Sequence, residues 1–123
     1  KLDSGLPVLV SYLNQIPGVS VISSQVSGDA YWWVKLNIDI KNKYSWNVVQ
    51  ELGFVLNYIS LNEPMPTVFK PVSPPPYMNG GPEDYLSWVI ESTFNYIDPK
   101  WVKETLEGRL PNPVDDLEQW ECE

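Results

Sequence analysis

The sharpest pattern along the chain is the alternation in Tyr31–Ile40, YWWVKLNIDI. Trp32, Val34, Leu36, Ile38 and Ile40 take one set of alternate positions, and Tyr31, Trp33, Lys35, Asn37 and Asp39 take the other. A period of two with one wholly apolar face predicts a half-buried strand whose outer face begins with two aromatics. Just before it, Val19–Val26 is short and β-branched, and Ser27-Gly28-Asp29 has the chemistry of a hairpin turn. Thr67–Val72 is a third candidate strand, entered and left by prolines that confine it to a sheet edge.

Elsewhere the apolar spacing is helical. Leu6, Leu9, Val10, Leu13 and Ile16 form a first stripe, with Asp3 and Ser4 as candidate caps, Pro7 in a first turn and Pro17-Gly18 as the stop. Ser45 opens a second helix that buries Val48, Val49, Leu52, Val55, Leu56 and Ile59, with Gly53 as a close-packing point and Asn62-Glu63-Pro64 as its end. Gly81-Pro82-Glu83-Asp84 has the residue order of a helix start, so a third helix is expected to bury Leu86, Val89, Ile90 and Phe94. Asp98-Pro99 begins a fourth, which Gly108 ends.

The predicted order is α-β-β-α-β-α-α. This is an α+β single domain over residues 1–123, with helices on one face of a small antiparallel sheet of about three strands. Residues 1–108 form the core, and 109–123 form an acidic strap laid over its surface. With 123 residues, such a domain buries roughly two-thirds of its unfolded surface.

Charge changes the picture more than composition does. Residues 1–82 carry five acids and five lysines; residues 83–123 carry eleven acids against Lys100, Lys103 and Arg109, which places the whole net charge of −8 in the last third. That balance repels nucleic acid and anionic membrane, and it steers a basic partner toward the protein. Solubility alone is the competing explanation. A lone cysteine, Cys122, suits a reducing compartment, and no basic segment followed by an apolar run opens the chain, so the expected location is cytoplasmic.

Candidate chemistry is narrowed mainly by exclusion. The chain has no histidine, which removes His-based triads, bases and zinc sites, and leaves Cys122 without an activating partner. Gly80-Gly81 lacks the lysine and hydroxyl residue of a phosphate loop. Glu83-Asp84 and Asp115-Asp116 with Glu118 have neither a calcium-loop spacing nor an acid/base geometry. No catalytic residue, metal site or cofactor is expected.

Protein recognition remains. The stretch Phe69–Asp84, FKPVSPPPYMNGGPED, holds five of the twelve prolines and reads as a stiff wall that presents Tyr77. It serves equally as a rigid connector that blocks edge pairing. Trp33, Tyr77, Trp101 and Trp120 are the candidate anchors. Asp98, Glu104, Glu107, Asp115, Asp116 and Glu118 are the candidate acidic face. The expected function is a non-enzymatic module that neutralises or escorts a basic protein partner, a toxin or nuclease among the candidates. Small acidic immunity proteins have this profile of size, charge and missing catalytic groups. The alternatives are a self-associating, homo-oligomeric scaffold and a small-ligand domain with an aromatic-lined pocket.

Overall fold

The computed structural model describes residues 2–39, 41–60, 62–72, 85–113, 115 and 117–120. Within them the chain runs α1 (Leu2–Leu13), β1 (Val19–Val26), β2 (Trp32–Asp39), α2 (Ser45–Val55), β3 (Tyr58–Ser60), β4 (Glu63–Pro64), β5 (Thr67–Pro71), β6 (Tyr85–Ser92), α3 (Pro99–Arg109) and α4 (Leu117–Trp120). The domain is α+β. Its main sheet has the strand order β1-β2-β6-β5, antiparallel throughout, and β3-β4 form a separate small hairpin.

The alternation in β2 is realised as read: Trp32, Val34, Leu36 and Ile38 are buried, and the residues between them are partly or fully exposed. In β1, Val19 and Val21 share β2's inner face, yet so do Ser24 and Val26. The register shifts between Val21 and Ser23, which leaves Ile22 as an extra, half-exposed residue. A bulge of one residue changes the parity of a strand, and so reconciles the two halves of VSVISSQV with one core face. The hairpin turn closes through Ser27 N–H to Tyr31 O, with Ala30 at φ 68°.

The main departure from the pattern lies at residues 85–92. The expected third helix is a strand, β6, and it is a central one, paired with both β2 and β5. Trp88 and Ile90 alternate with Ser87, Val89 and Glu91, and Ile90 lies between Val34 and Phe69 in the register. Adjacent apolar residues Val89 and Ile90 mimic a helical stripe, but they are buried on opposite faces. On the outer face Val89 is flanked in register by Lys35 and Lys70, whose aliphatic stems cover apolar surface while their charges stay wet. The expected start at Gly81-Pro82-Glu83-Asp84 lies outside the described residues. The sheet therefore has four strands where about three were expected.

Smaller departures follow the same logic. Helix α1 is already formed at Leu2, so Pro7 sits in its second turn and Asp3 and Ser4 are helical. Helix α2 ends at Val55, because Asn57 turns the chain: its Nδ2 donates to Gly53 O at 2.6 Å and its Oδ1 accepts from Phe69 N–H at 2.9 Å. Ile59 consequently lies exposed in β3 instead of in a buried stripe. Gly53 is no close-packing point either, since a Cβ there would meet nothing within 4 Å.

The helices cover one face of the sheet. Their apolar residues, among them Leu9, Leu13, Leu52, Val55, Val102 and Leu106, join Trp32, Leu36, Ile38 and Ile90 in one core. Trp32 is also tied by hydrogen bonds. Its Nε1 donates to Ile97 O at 2.6 Å, and its backbone N–H donates to Ser92 Oγ at 3.0 Å, which extends the β2–β6 pairing past the end of the ladder.

Candidate functional site

Helix α3 organises most of the residues singled out from the sequence. Asp98 is its N-cap, with Oδ1 accepting from Lys100 N–H at 3.0 Å, and Pro99 follows in the first turn. Pro99, Val102 and Leu106 face the core. That leaves Trp101, Glu104 and Glu107 on the exposed side, three residues apart and so along one stripe. Lys103 pairs with Glu107 at 2.9 Å across one turn. Asp115 and Glu118 are exposed in the segment that follows.

The other anchors are placed differently. Trp33 is half-buried on the sheet face opposite the helices, between Gln25 and Glu91 in the register. It does not share a surface with α3. Trp120 is not an exposed anchor at all: it is 1% exposed and belongs to the core. Asn47 Nδ2 donates to Trp120 O, and Trp120 Nε1 donates to Asn112 O at 3.3 Å. The acidic tail is therefore pinned through its tryptophan, and Pro113, seven residues earlier, is buried as well. Tyr77 and Asp116 lie outside the described residues.

Helices α1 and α3 pack side by side in parallel. Gly5 abuts the start of α3, where a Cβ would stand 2.9 Å from Asp98 Oδ1 and 3.0 Å from Lys100 N. At the other end Tyr12 and Gln15 meet Glu107 and the Leu110–Pro113 turn around a cleft of about 280 Å³. A second cleft of about 390 Å³ continues along Val8, Ser11, Lys103 and Glu107. Tyr12 is common to both. Its hydroxyl is buried without a hydrogen-bond partner among the described residues, and burial, reinforced by the charge of Glu107, pushes its pKa up to about 12.

Sequence reasoning missed a cluster of exposed aromatics. Phe54 and Tyr58 stack at 6.0 Å, and Arg109 clamps them, with its guanidinium 5.6 Å from the Phe54 ring and Nη1 donating to Tyr58 O at 2.9 Å. Tyr58 and Phe94 line an open cleft of about 630 Å³ beside Met65, Thr67 and Val68. Phe94 was expected inside a helix stripe and is instead exposed, as is Tyr96, which adopts φ 62° and donates its N–H to Ala30 O at 2.9 Å. Reading residues 85–92 with a period of two supplies the missing signal, because 93–98 then becomes a loop at the end of a strand. Tyr31 is exposed on the turn that Ala30 closes. The Ser27 hydroxyl, 2.6 Å from Asp29 Oδ1, holds the Asp29 carboxyl below its ordinary range, with a weaker contribution from Tyr31 N–H.

Among the described residues no group of three or more His, Cys, Asp or Glu side chains is arranged to hold a metal ion, and no helix is long and apolar enough to cross a membrane. Compared with protein-family models, with curated proteins and with solved structures, the chain finds no significant match.

Proposed function

We propose that the protein is a non-enzymatic binding module of the cytoplasm that neutralises or escorts a basic protein partner, in the manner of small acidic immunity proteins. The observation that carries this reading is the exposed stripe of α3. Trp101, which is 41% exposed, is followed along the stripe by Glu104 and Glu107, and Asp115 and Glu118 add exposed acids in the following segment. An aromatic beside carboxylates is the composition of an anchor within an attractive field: the ring supplies contact area and the charges speed encounter. The absence of histidine from the whole chain removes histidine-based acid/base catalysis. The test is a pull-down from the source cells washed at low and then at high salt. A single basic protein retained at low salt and shed at high salt supports the reading, and an empty bait at both counts against it.

Self-association is the second reading, and the exposed cluster of Phe54, Tyr58 and Phe94 favours it. Here the aromatics form a contact between copies and the acidity keeps the assembly soluble. A monomer mass at every concentration in ultracentrifugation would remove it.

A further inference from the structure

The main sheet has two edge strands, β5 and β1, and their outer edges are finished differently. Along β5, Val72 N–H donates inward to Ser87 O, so by alternation Phe69 and Pro71 turn their nitrogens outward. Asn57 takes the Phe69 N–H, and Pro71 has none to offer. The first half of β1 is finished too: Val19 N–H donates to Ile16 O, and Val21 N–H donates to Asn14 Oδ1.

Past the bulge at Ile22 the cover stops. Ser27 N–H donates to Tyr31 O, while Trp32 N–H donates away from β1, to Ser92 Oγ. These bonds fix the alternation: Gln25 pairs inward with Trp33, and Ser24 and Val26 turn their N–H and C=O groups outward. Among the described residues nothing pairs with those outward groups, and Ile22, Ser23, Ser24 and Gln25 are all exposed. Sheet edges are ordinarily guarded by charge, by proline or by a covering element. Val19–Gly28 carries neither a charged residue nor a proline.

What fits such an edge is an extended strand, joined through main-chain hydrogen bonds. Two features select which strand. The chain's charge of −8 draws a basic partner toward acids, and Val19–Gly28 has none; two copies of the chain, which repel through their charge, meet here without opposed carboxylates. The outward groups are also self-complementary. In an antiparallel pair centred on Gln25, the Ser24 N–H of each copy donates to Val26 O of the other, and the Val26 N–H donates to Ser24 O. Gln25 then faces Gln25 across a two-fold axis, which closes the contact as a dimer.

We propose that the outer edge of β1 from Ser24 to Val26 pairs antiparallel with the same segment of a second copy of this chain. The contact is independent of the acidic stripe on α3, and it uses none of Phe54, Tyr58 and Phe94. So short an interface makes a weak dimer, with a dissociation constant on the order of 100 µM.

Gln25 carries the test, because it is exposed and faces itself across the axis. Molar mass is followed by sedimentation equilibrium from about 10 µM to about 1 mM, where the wild type is expected to pass from monomer toward dimer. Gln25→Lys and Gln25→Glu should each weaken the dimer by about fivefold, since like charges then stand opposite one another. An equimolar mixture of the two variants should restore it. Amide exchange gives a readout that needs no variant: with rising concentration it should slow at Ser24 and Val26. It should not change at Gln25 and Ser27, which already face β2.

A monomer mass at every concentration, a dimer indifferent to charge at residue 25, or variants that stay apart when mixed would overturn the proposal. A dimer lost in Phe94→Ser but unchanged in both Gln25 variants would overturn it in favour of the exposed aromatic cluster. A chain that stays monomeric alone, and whose Ser24 and Val26 amides become protected only when a basic protein binds, would overturn the second copy and give the edge to that protein's strand.

Discussion

The side-chain oxygen of Asn57 accepts the backbone N–H of Phe69 at 2.9 Å, and so closes the outer edge of β5. The same residue donates Nδ2 to Gly53 O at 2.6 Å and accepts Met65 N–H on its own carbonyl at 3.0 Å. One asparagine thus ends α2, holds β5 and anchors the β3–β4 hairpin. An edge strand otherwise offers unpaired N–H groups to any passing strand.

Asn57→Ala should therefore destabilise the domain by about 3 kcal/mol, because a backbone donor and a helix-end carbonyl lose their partner together. Asn57→Asp should recover only part of the loss, since a carboxylate accepts from Phe69 but cannot donate to Gly53. Urea midpoints for the three proteins decide the matter. Equal midpoints for wild type and Asn57→Ala would mean that the edge is held by other contacts.

Gly5 and Asp98 form the second tight junction. In an isolated helix, replacing Gly with Ala is stabilising by about 1 kcal/mol. Here the added methyl meets Asp98 Oδ1 at 2.9 Å and the Lys100 backbone nitrogen at 3.0 Å, so Gly5→Ala should destabilise by forcing α1 from α3. Asp98→Ala should cost about 1 kcal/mol through the lost cap. The double variant should lose less than the sum, since the smaller side chain removes one of the two clashes. Strict additivity in a double-mutant cycle would contradict this geometry.

Tyr12 makes stability depend on alkaline pH. Its pKa is raised to about 12 in the folded chain, above the ordinary value of 10.0. Between these values the unfolded chain has released the proton and the folded chain has not, so stability falls as pH rises. The contribution is fully present below pH 10 and is lost by about pH 12. The difference between the denaturation midpoints of Tyr12→Phe and wild type should therefore grow in the variant's favour as pH rises through this window. A constant difference between them would show that the hydroxyl titrates normally.

The two tryptophans of the C-terminal third should separate cleanly. Trp120→Ala opens the core and should destabilise by about 3–5 kcal/mol. Trp101→Ala removes a side chain that is 41% exposed; it should change stability by under about 1 kcal/mol and weaken partner capture. Thermal melts compared with pull-down yield test both. Loss of capture by a stably folded Trp120→Ala protein would reverse the assignment.

How far the sequence reveals this fold varies with the kind of signal. The strict alternation at Tyr31–Ile40 and the cap order Asp98-Pro99 each depend on neighbours in the chain, and both elements form where expected. Residues 85–92 mislead because Val89, on the face opposite Ile90, is apolar and buried as well, and that one position masks the period of two beneath a helix-like pair. Ile59 misleads because Asn57 finds better partners in β5 than in another helical turn, a choice only tertiary contacts decide. Trp120 reads as a surface anchor among acids, and nothing local says that Asn47 and Asn112 will hold it. The same limit applies to the site. Trp101, Glu104 and Glu107 are recoverable from helical spacing, whereas the Tyr12 cleft needs two helices brought side by side.

The decisive measurement is a paired pull-down from source-cell lysate with wild-type protein and with a Glu104→Lys/Glu118→Lys variant as baits, each washed at low and high salt. Both substituted residues are exposed, so the variant should melt like wild type. The expected outcome is one basic protein held by the wild type at low salt, shed at high salt, and missing from the charge-reversed bait. The same proteins retained by both baits, or a wild-type capture indifferent to salt, would show that the acidic stripe on α3 is a solubility device and not a recognition surface.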